Sequence, residues 1–165
     1  MNIRETNIND IPTIMKIYEE AKKFMIQNGN PNQWINGYPN SELLELDIQY
    51  GNSYVCVEQQ NNSENIIATF CFIKGTEPTY AHIKGAWLND TPYGVIHRIA
   101  VKAHYKNIGT FCLNWAMDQC KNIRIDTHHD NIPMRKTLEK NGYTYCGIIT
   151  WEDGSERIAF QKTLL

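Results

Sequence analysis

Histidine is the side chain best suited to moving a proton near neutral pH, and two of the chain's five occupy segments that could aim one. His97 stands inside the apolar run "VIHRIAV", two residues before Ile99, so period-two alternation puts both on one side of a strand. There it reads either as a general base or as a core histidine satisfied by a carbonyl. His128 follows "NIRID" and is expected where two central strands part, a second candidate base. His128, His129 and Asp130 are consecutive, project in different directions and match no structural zinc spacing, so no metal is expected. A different chemistry comes from "VKAHYKNIGTFCLNWA", whose side chains are plain. It reads as strand, turn and helix, and the first N–H groups of a helix have no intrahelical partner. From Lys106 through Asn107, Ile108 and Gly109 to Thr110, those donors and the positive end of the helix dipole would hold a phosphate or pyrophosphate.

The elements that must position these groups are legible from period and punctuation. Ile3 begins a short strand, and "NDIPTIMKIYEEAKKFMIQNGN" predicts a helix capped at Asn9 or Asp10, with Pro12 in its first turn and Gly29 as its stop. A shorter helix is capped near Asn40 or Ser41, after the aromatic loop "PNQWINGYP". "SYVCVE" and "IIATFCFIK" predict a hairpin, "YGVIHRIAV" a third long strand, and "NIRID" a buried strand. Asn131 caps a last helix ended by Gly142, and "YTYCGIITW" and "RIAFQKTL" close the chain as strands. The order β-α-α-β-β-β-α-β-α-β-β describes an α/β (α+β) fold: a mixed, mostly antiparallel sheet of about six to seven strands flanked by about four helices. The middle β-α-β crossover makes "VIHRIAV" and "NIRID" parallel neighbours, and ligands favour the carboxyl ends of such strands.

Composition bounds the rest. A chain of 165 residues with 42% hydrophobic content fits one domain spanning residues 1–165. Its net charge of −2 comes without a basic block, which argues against nucleic acid as ligand. No apolar run approaches membrane-spanning length and no signal core leads the chain, so a cytoplasmic protein without a membrane partner is expected. Cys56, Cys71, Cys112, Cys120 and Cys146 form no Cys-x-x-Cys pair and read as reduced thiols. Glu77 and His82 read as solvated loop residues, and Trp87, Trp115 and Trp151 as structural. Whether the chain forms a homodimer stays open.

Over most of its length the chain resembles the GNAT superfamily of acyl-CoA-dependent N-acyltransferases. The resemblance rests on "HRIAVKAHYKNIGTFCLNWA", "IRIDTHHDN" and "NIPMRKTLEKNGYTYCGI" in that order, with "QWINGYP" near the front as in one bacterial group. The family's phosphate turn reads Arg/Gln-x-x-Gly-x-Gly/Ala. Counting back from the apolar helix stripe Cys112, Leu113, Ala116, Met117 and Cys120 makes Gly109 the final glycine. Asn107 then replaces the earlier glycine, as a residue tolerant of positive φ, and the turn is about two residues short at its front, with Lys106 left to supply charge.

The resemblance implies acetyl-CoA as acyl donor and a small-molecule or peptide amine as acceptor. It further implies that the backbone of Ile99, Ala100 and Val101 bonds the pantetheine arm, that Asn131 also bonds it, and that Arg135 reaches a phosphate. Trp34 and Tyr38 would wall the acceptor pocket. Leu138 stands where many members carry a tyrosine that protonates the leaving thiolate. A thiol of pKa about 8.5 can leave as thiolate without that help. The competing expectation is a GNAT-like module that has lost catalysis and senses CoA or binds a protein. A Rossmann dinucleotide protein is disfavoured by the absence of Gly-x-Gly-x-x-Gly.

Overall fold

The computed structural model describes residues 1–165. Strand β1 (Asn2–Glu5) leads through a 3-10 turn capped by Asn7 into helix α1 (Ile11–Gln27), which buries Ile14, Ile17 and Tyr18. Helix α2 (Ser41–Gln49) starts at Asn40, whose side chain accepts the Leu43 N–H, the capping expected of asparagine. Strands β2 (Ser53–Gln60) and β3 (Ser63–Lys74) form the hairpin, turning on Asn61 and Asn62, both at positive φ. Then follow β4 (Ile83–Gly85), β5 (Gly94–Val101), α3 (Ile108–Cys120), β6 (Asn122–Thr127), α4 (Ile132–Lys140), β7 (Thr144–Thr150) and β8 (Glu156–Thr163).

All eight strands join one sheet in the order β1-β2-β3-β5-β6-β8-β7-β4. The strand beyond the seven read from sequence is β4, whose three residues are too few to show a period. It reaches β7 through a close backbone approach. A Cβ on Gly85 would sit 2.1 Å from the Cys146 carbonyl oxygen, and one on Gly147 2.2 Å from that of Lys84, so both positions require glycine.

One pairing is parallel, β5 with β6, and it stops after two rungs, Gly94 with Ile123 and Val95 with Arg124. On its other side β5 stays paired to β3 as far as Val101. The sheet is therefore forked at its centre, and the fork opens at Val95 and Arg124, earlier than the His128 region named from sequence. A bulge in β5 deepens the change. Cys71 faces His97 and Thr69 faces Ala100, so β5 carries one residue more than β3, and Arg98 takes a left-handed φ of 53°. The extra residue reverses the alternation. Ile96, Ile99 and Val101 pack with α3, while Val95 and Ala100 join the clusters on the opposite face. His97 and Ile99 accordingly do not share a side, contrary to the period-two expectation.

The largest core cluster lies under α3 and α4, around Phe70, Phe72, Leu113, Met117 and Leu138, and a second lies under α1 and α2. Each such side chain contributes roughly 1.5–3 kcal/mol on burial, enough to hold both helical layers against the open fork. All cysteines are free. No helix is long and apolar enough to cross a membrane.

Candidate active site

A groove of about 710 Å³ runs from the fork to the start of α3, bordered by Ile99–Val101, by Asn107 to Gly109, by Met134 and Thr137 of α4, and by Phe24 of α1. At its end Asn107 adopts φ 62° and begins α3 without placing a side-chain cap on it. The N–H groups of Lys106, Asn107, Ile108, Gly109 and Thr110 find no acceptor in the chain, and the first bond of the turn is Phe111 N–H to the Asn107 carbonyl. Successive free amides at a helix start form an anion receptor. Lys140 brings its Nζ to 3.5 Å from Asn107 Oδ1 and adds positive charge at the same place.

A smaller cavity of about 70 Å³ lies in the fork itself and shares Ile99, Asn131, Met25 and Met134 with the groove. Its remaining lining includes His97, Arg98, Asp126, Arg157, Trp34, Tyr38 and Trp151. The aromatic residues form an edge-to-face chain, with Trp34 5.5 Å from Tyr18 and Tyr38 5.3 Å from Trp151. Gln33, from the same loop, accepts from Asn131 Nδ2 at 2.9 Å and from Asn30 Nδ2 at 2.8 Å, and its carbonyl accepts from Arg157. The aromatic loop is thus tied to both α4 and β8.

The titratable groups are tightly held. His97 Nε2 lies 3.0 Å from Glu77 Oε2, with side-chain exposures of 13% and 17%. The hydrogen bond with His97, helped by the Thr79 N–H and opposed by burial, holds the Glu77 carboxyl down at about 2. Glu77 is therefore a half-buried partner of His97 and not the solvated loop residue expected from sequence. Arg98 Nη2 meets Asp47 Oδ2 at 2.5 Å, and its Nη1 donates to Tyr38 Oη at 3.2 Å. Burial pushes the Asp126 carboxyl up, against the pull of His97, of the Tyr80 hydroxyl and of Arg157. Burial also raises the Tyr38 phenol, with Arg98 opposing, so the phenol stays protonated.

Because the Glu77 carboxyl sits below its ordinary 4.5 in the folded protein, it stabilises the fold fully above that pH, and this contribution fades as pH falls toward about 2. Urea unfolding followed from about pH 6 to about pH 3 should show a stability loss on the acid side that Glu77→Gln makes shallower.

The other residues named from sequence divide. Ile99, Ala100, Val101, Asn107, Ile108, Gly109 and Asn131 border the groove, and His97, Trp34 and Tyr38 the cavity. Asn131 Oδ1 accepts the Met134 N–H as a helix cap. Lys106 is exposed and, like Thr110 and Arg135, falls outside the groove lining. Thr110 Oγ1 accepts from Asn141, and Arg135 donates to the His129 carbonyl at 3.0 Å, which turns it away from the groove. His128 lines neither space. It is buried in the turn after β6, where Nδ1 accepts the Asp130 N–H at 3.1 Å and its ring stacks on His129. Burial lowers its pKa, with Arg157 and His129 adding to the effect. His128, His129 and Asp130 do bring ligand atoms within 4.8 Å of one another.

Trp151 faces the cavity, unlike the structural role read for it, whereas Trp87 and Trp115 pack inside. Leu138 is fully buried, and α4 presents Pro133, Met134 and Thr137 to the groove instead. Sequence reasoning missed Glu77, Asp126, Arg98, Arg157 and Lys140. Except for Arg157, which bonds Ser155 and Glu156 beside it, their partners lie far along the chain, and only the placement of Asp126 at the end of a buried strand gave a hint.

A sheet forked at its centre, with anion-ready amides where the groove ends, defines an α+β acyltransferase architecture. The model of the GNAT acetyltransferase family matches residues 14–143, and the chain belongs to that family, whose acyl donor is acetyl-CoA. It is similar to a GNAT-family acetyltransferase from Streptococcus agalactiae, with 31% identity over 99% of this chain and 95% of that one and a TM-score of 0.88. The fold is shared with a GNAT-family acetyltransferase from Listeria monocytogenes, at 15% identity, 99% and 94% coverage and TM-score 0.71. It is also shared with a ribosomal-protein-alanine N-acetyltransferase from Brucella melitensis, at 15% identity, 99% and 100% coverage and TM-score 0.64. No curated protein matches the chain in sequence.

Proposed function

We propose that this acetyltransferase moves an acetyl group from acetyl-CoA to a primary amine by direct attack in a ternary complex. The observation that carries the reading is the continuity of the two spaces. A groove ending in the unpartnered amides of Asn107 to Gly109 shares Ile99 and Asn131 with the cavity that holds His97. The diphosphate of the donor fits the amides, the pantetheine arm fits the open edge of β5, and the thioester would then arrive beside His97.

An alkylammonium has a pKa near 10 and must lose a proton before it attacks. His97, oriented by Glu77, takes that proton directly or through a water. The amine nitrogen bonds to the acetyl carbon, the C–S bond breaks, and CoA leaves as the thiolate, which takes up the second proton that the nitrogen sheds on becoming an amide. The tetrahedral oxyanion requires a fixed donor, and the β5 amide near Ile99 is free of any β6 partner to serve.

Gly109→Glu tests the donor half of this reading. The position has an ordinary helical φ, and a Cβ there meets only Thr137 Cγ2, at 3.7 Å. An acid in the first turn also favours the helix, so folding is retained while a carboxylate competes for the amides. Calorimetric titration should show acetyl-CoA affinity lowered about 10- to 100-fold, with Gly109→Ala near wild type and no loss in Tm. Unchanged affinity in the Glu variant would remove the anion role from the α3 start.

A second reading, a CoA-sensing module without turnover, draws on the buried Leu138, which leaves α4 without a general acid. Tight acetyl-CoA binding with no acetylation of pooled amines would favour it.

A further inference from the structure

The charges at the small cavity largely cancel in pairs, His97 with Glu77 at 3.0 Å and Arg98 with Asp47 at 2.5 Å. Asp126 and Arg157 are left over. Arg157 is 4% exposed, yet its hydrogen bonds go only to uncharged acceptors: Ser155 Oγ at 2.8 Å, the Glu156 carbonyl at 3.2 Å and the Gln33 carbonyl at 3.4 Å. The neighbouring carboxylates are engaged elsewhere, Asp153 on Ser155, Glu156 on Lys84 at 3.2 Å, and Asp126 on Tyr80 at 2.6 Å. A guanidinium removed from water is bonded by no carboxylate here; Asp126 and Asp153 act on it only through space, so it keeps capacity for a directly bonded counter-ion. Its fork of donors is shaped for a carboxylate.

The two groups face one space. Asp126 pairs with Ala159 across β6 and β8, so Arg157 is its diagonal neighbour on the same sheet face, with Cβ atoms roughly 7 Å apart. Both line the cavity, one carboxyl and one guanidinium among Trp34, Tyr38, Trp151 and Met25. That pattern is complementary to a zwitterion with an apolar side chain.

We propose that the acceptor is a free α-amino acid with an apolar side chain, its carboxylate held by Arg157, its amine directed toward Asp126 and His97, and its side chain extending past Met25 and Met134 into the adjoining groove. The proposal deepens the transfer reading above and rests on it. A peptide N-terminus, whose first carboxyl is tied up in an amide, offers Arg157 no charge at this spacing, and a simple alkylamine offers none at all.

The test uses matched triplets: leucine, leucinamide and isoamylamine, with the corresponding methionine and phenylalanine sets. Binding to the CoA-saturated protein is measured by calorimetry, and acetylation with acetyl-CoA is measured separately. The free acid of at least one set should bind roughly 10- to 100-fold more tightly than its amide and its amine. Arg157→Gln should erase that preference while changing acetyl-CoA affinity little, and Arg157→Lys, which keeps the charge without the fork, should retain part of it. The lysine variant also serves if the glutamine variant does not fold. Equal binding within every triplet, preference for the amide, or absence of binding by any free acid overturns the proposal. So does an equal loss for all three members on Arg157→Gln, the mark of a merely structural arginine. Acetylation of amines without carboxylate preference would leave the transfer reading standing and remove this one. Carboxylate-selective binding without acetylation would seat the amino acid in the cavity but remove it as acceptor, and so overturn both readings.

Discussion

Replacing His97 by glutamine is expected to lower kcat by about 10²- to 10⁴-fold, the range associated with loss of a positioned general base. Glutamine keeps the length of the side chain and can still bond Glu77, so the cavity is preserved, but it has no basic nitrogen to accept the amine's proton. The Michaelis constant for acetyl-CoA should change little, because the groove that would hold the nucleotide is built from β5, α3 and α4, beyond His97. Continuous detection of released CoA thiol across pH gives the decisive signature. As the pH approaches that of the alkylamine's own deprotonation, about 10, more acceptor arrives without its proton, so the deficit of the variant should narrow. Glu77 acts through His97 as a positioning residue, so Glu77→Gln should reduce kcat less and show the same narrowing. A variant with full activity, or one whose deficit is the same at every pH, would transfer the base role elsewhere, with Asp126 the next carboxylate in the cavity.

Replacing Asp47 by alanine is expected to destabilise the protein by about 3–5 kcal/mol, the loss seen when one partner of a buried ion pair is removed. The two side chains are 9% and 12% exposed, and Arg98 is fixed in place by the bulge, at a φ of 53° that a non-glycine residue adopts only under constraint. Without Asp47 the guanidinium keeps only Tyr38 Oη and cannot reach water without undoing the bulge. The double variant Asp47→Ala with Arg98→Ala should lose less than the sum of the two single changes, because it removes the stranded charge. Urea unfolding of the four proteins measures the coupling directly. Additive losses, or a single-variant loss below about 1 kcal/mol, would mean that the pair is solvated and does not fix the bulge.

Much of the scaffold was legible from the residues. Pro12 in the first turn of the first helix, the caps Asn40 and Asn131, and the tolerance of Asn107 for positive φ are local features, and each appears as read. The parallel contact of β5 and β6 followed from the crossover rule. Other features had no local signal. A bulge adds one residue without altering composition, so nothing in "VIHRIAV" announced that His97 and Ile99 part company at Arg98. Strand β4 is three residues long and is defined by its two glycine contacts with β7. The pairs that set the electrostatics join residues 20 and 51 positions apart, Glu77 with His97 and Asp47 with Arg98, and long-range pairs of that kind leave no spacing to read. Trp151 reads as structural from the sequence alone. Its role depends on the loop that carries Tyr38 folding back to meet it.

Two rungs of backbone hold the halves of the sheet together, and beyond Val95 and Arg124 the seam is open. A donor lying along β5 would occupy the place of the missing rungs, so its own contacts would suture strands that the chain leaves unjoined. Ligand that binds only the folded form raises stability by mass action, and here it would do so at the weakest line in the molecule. The level of acyl donor would then govern how long the protein survives proteolysis as well as how fast it turns over.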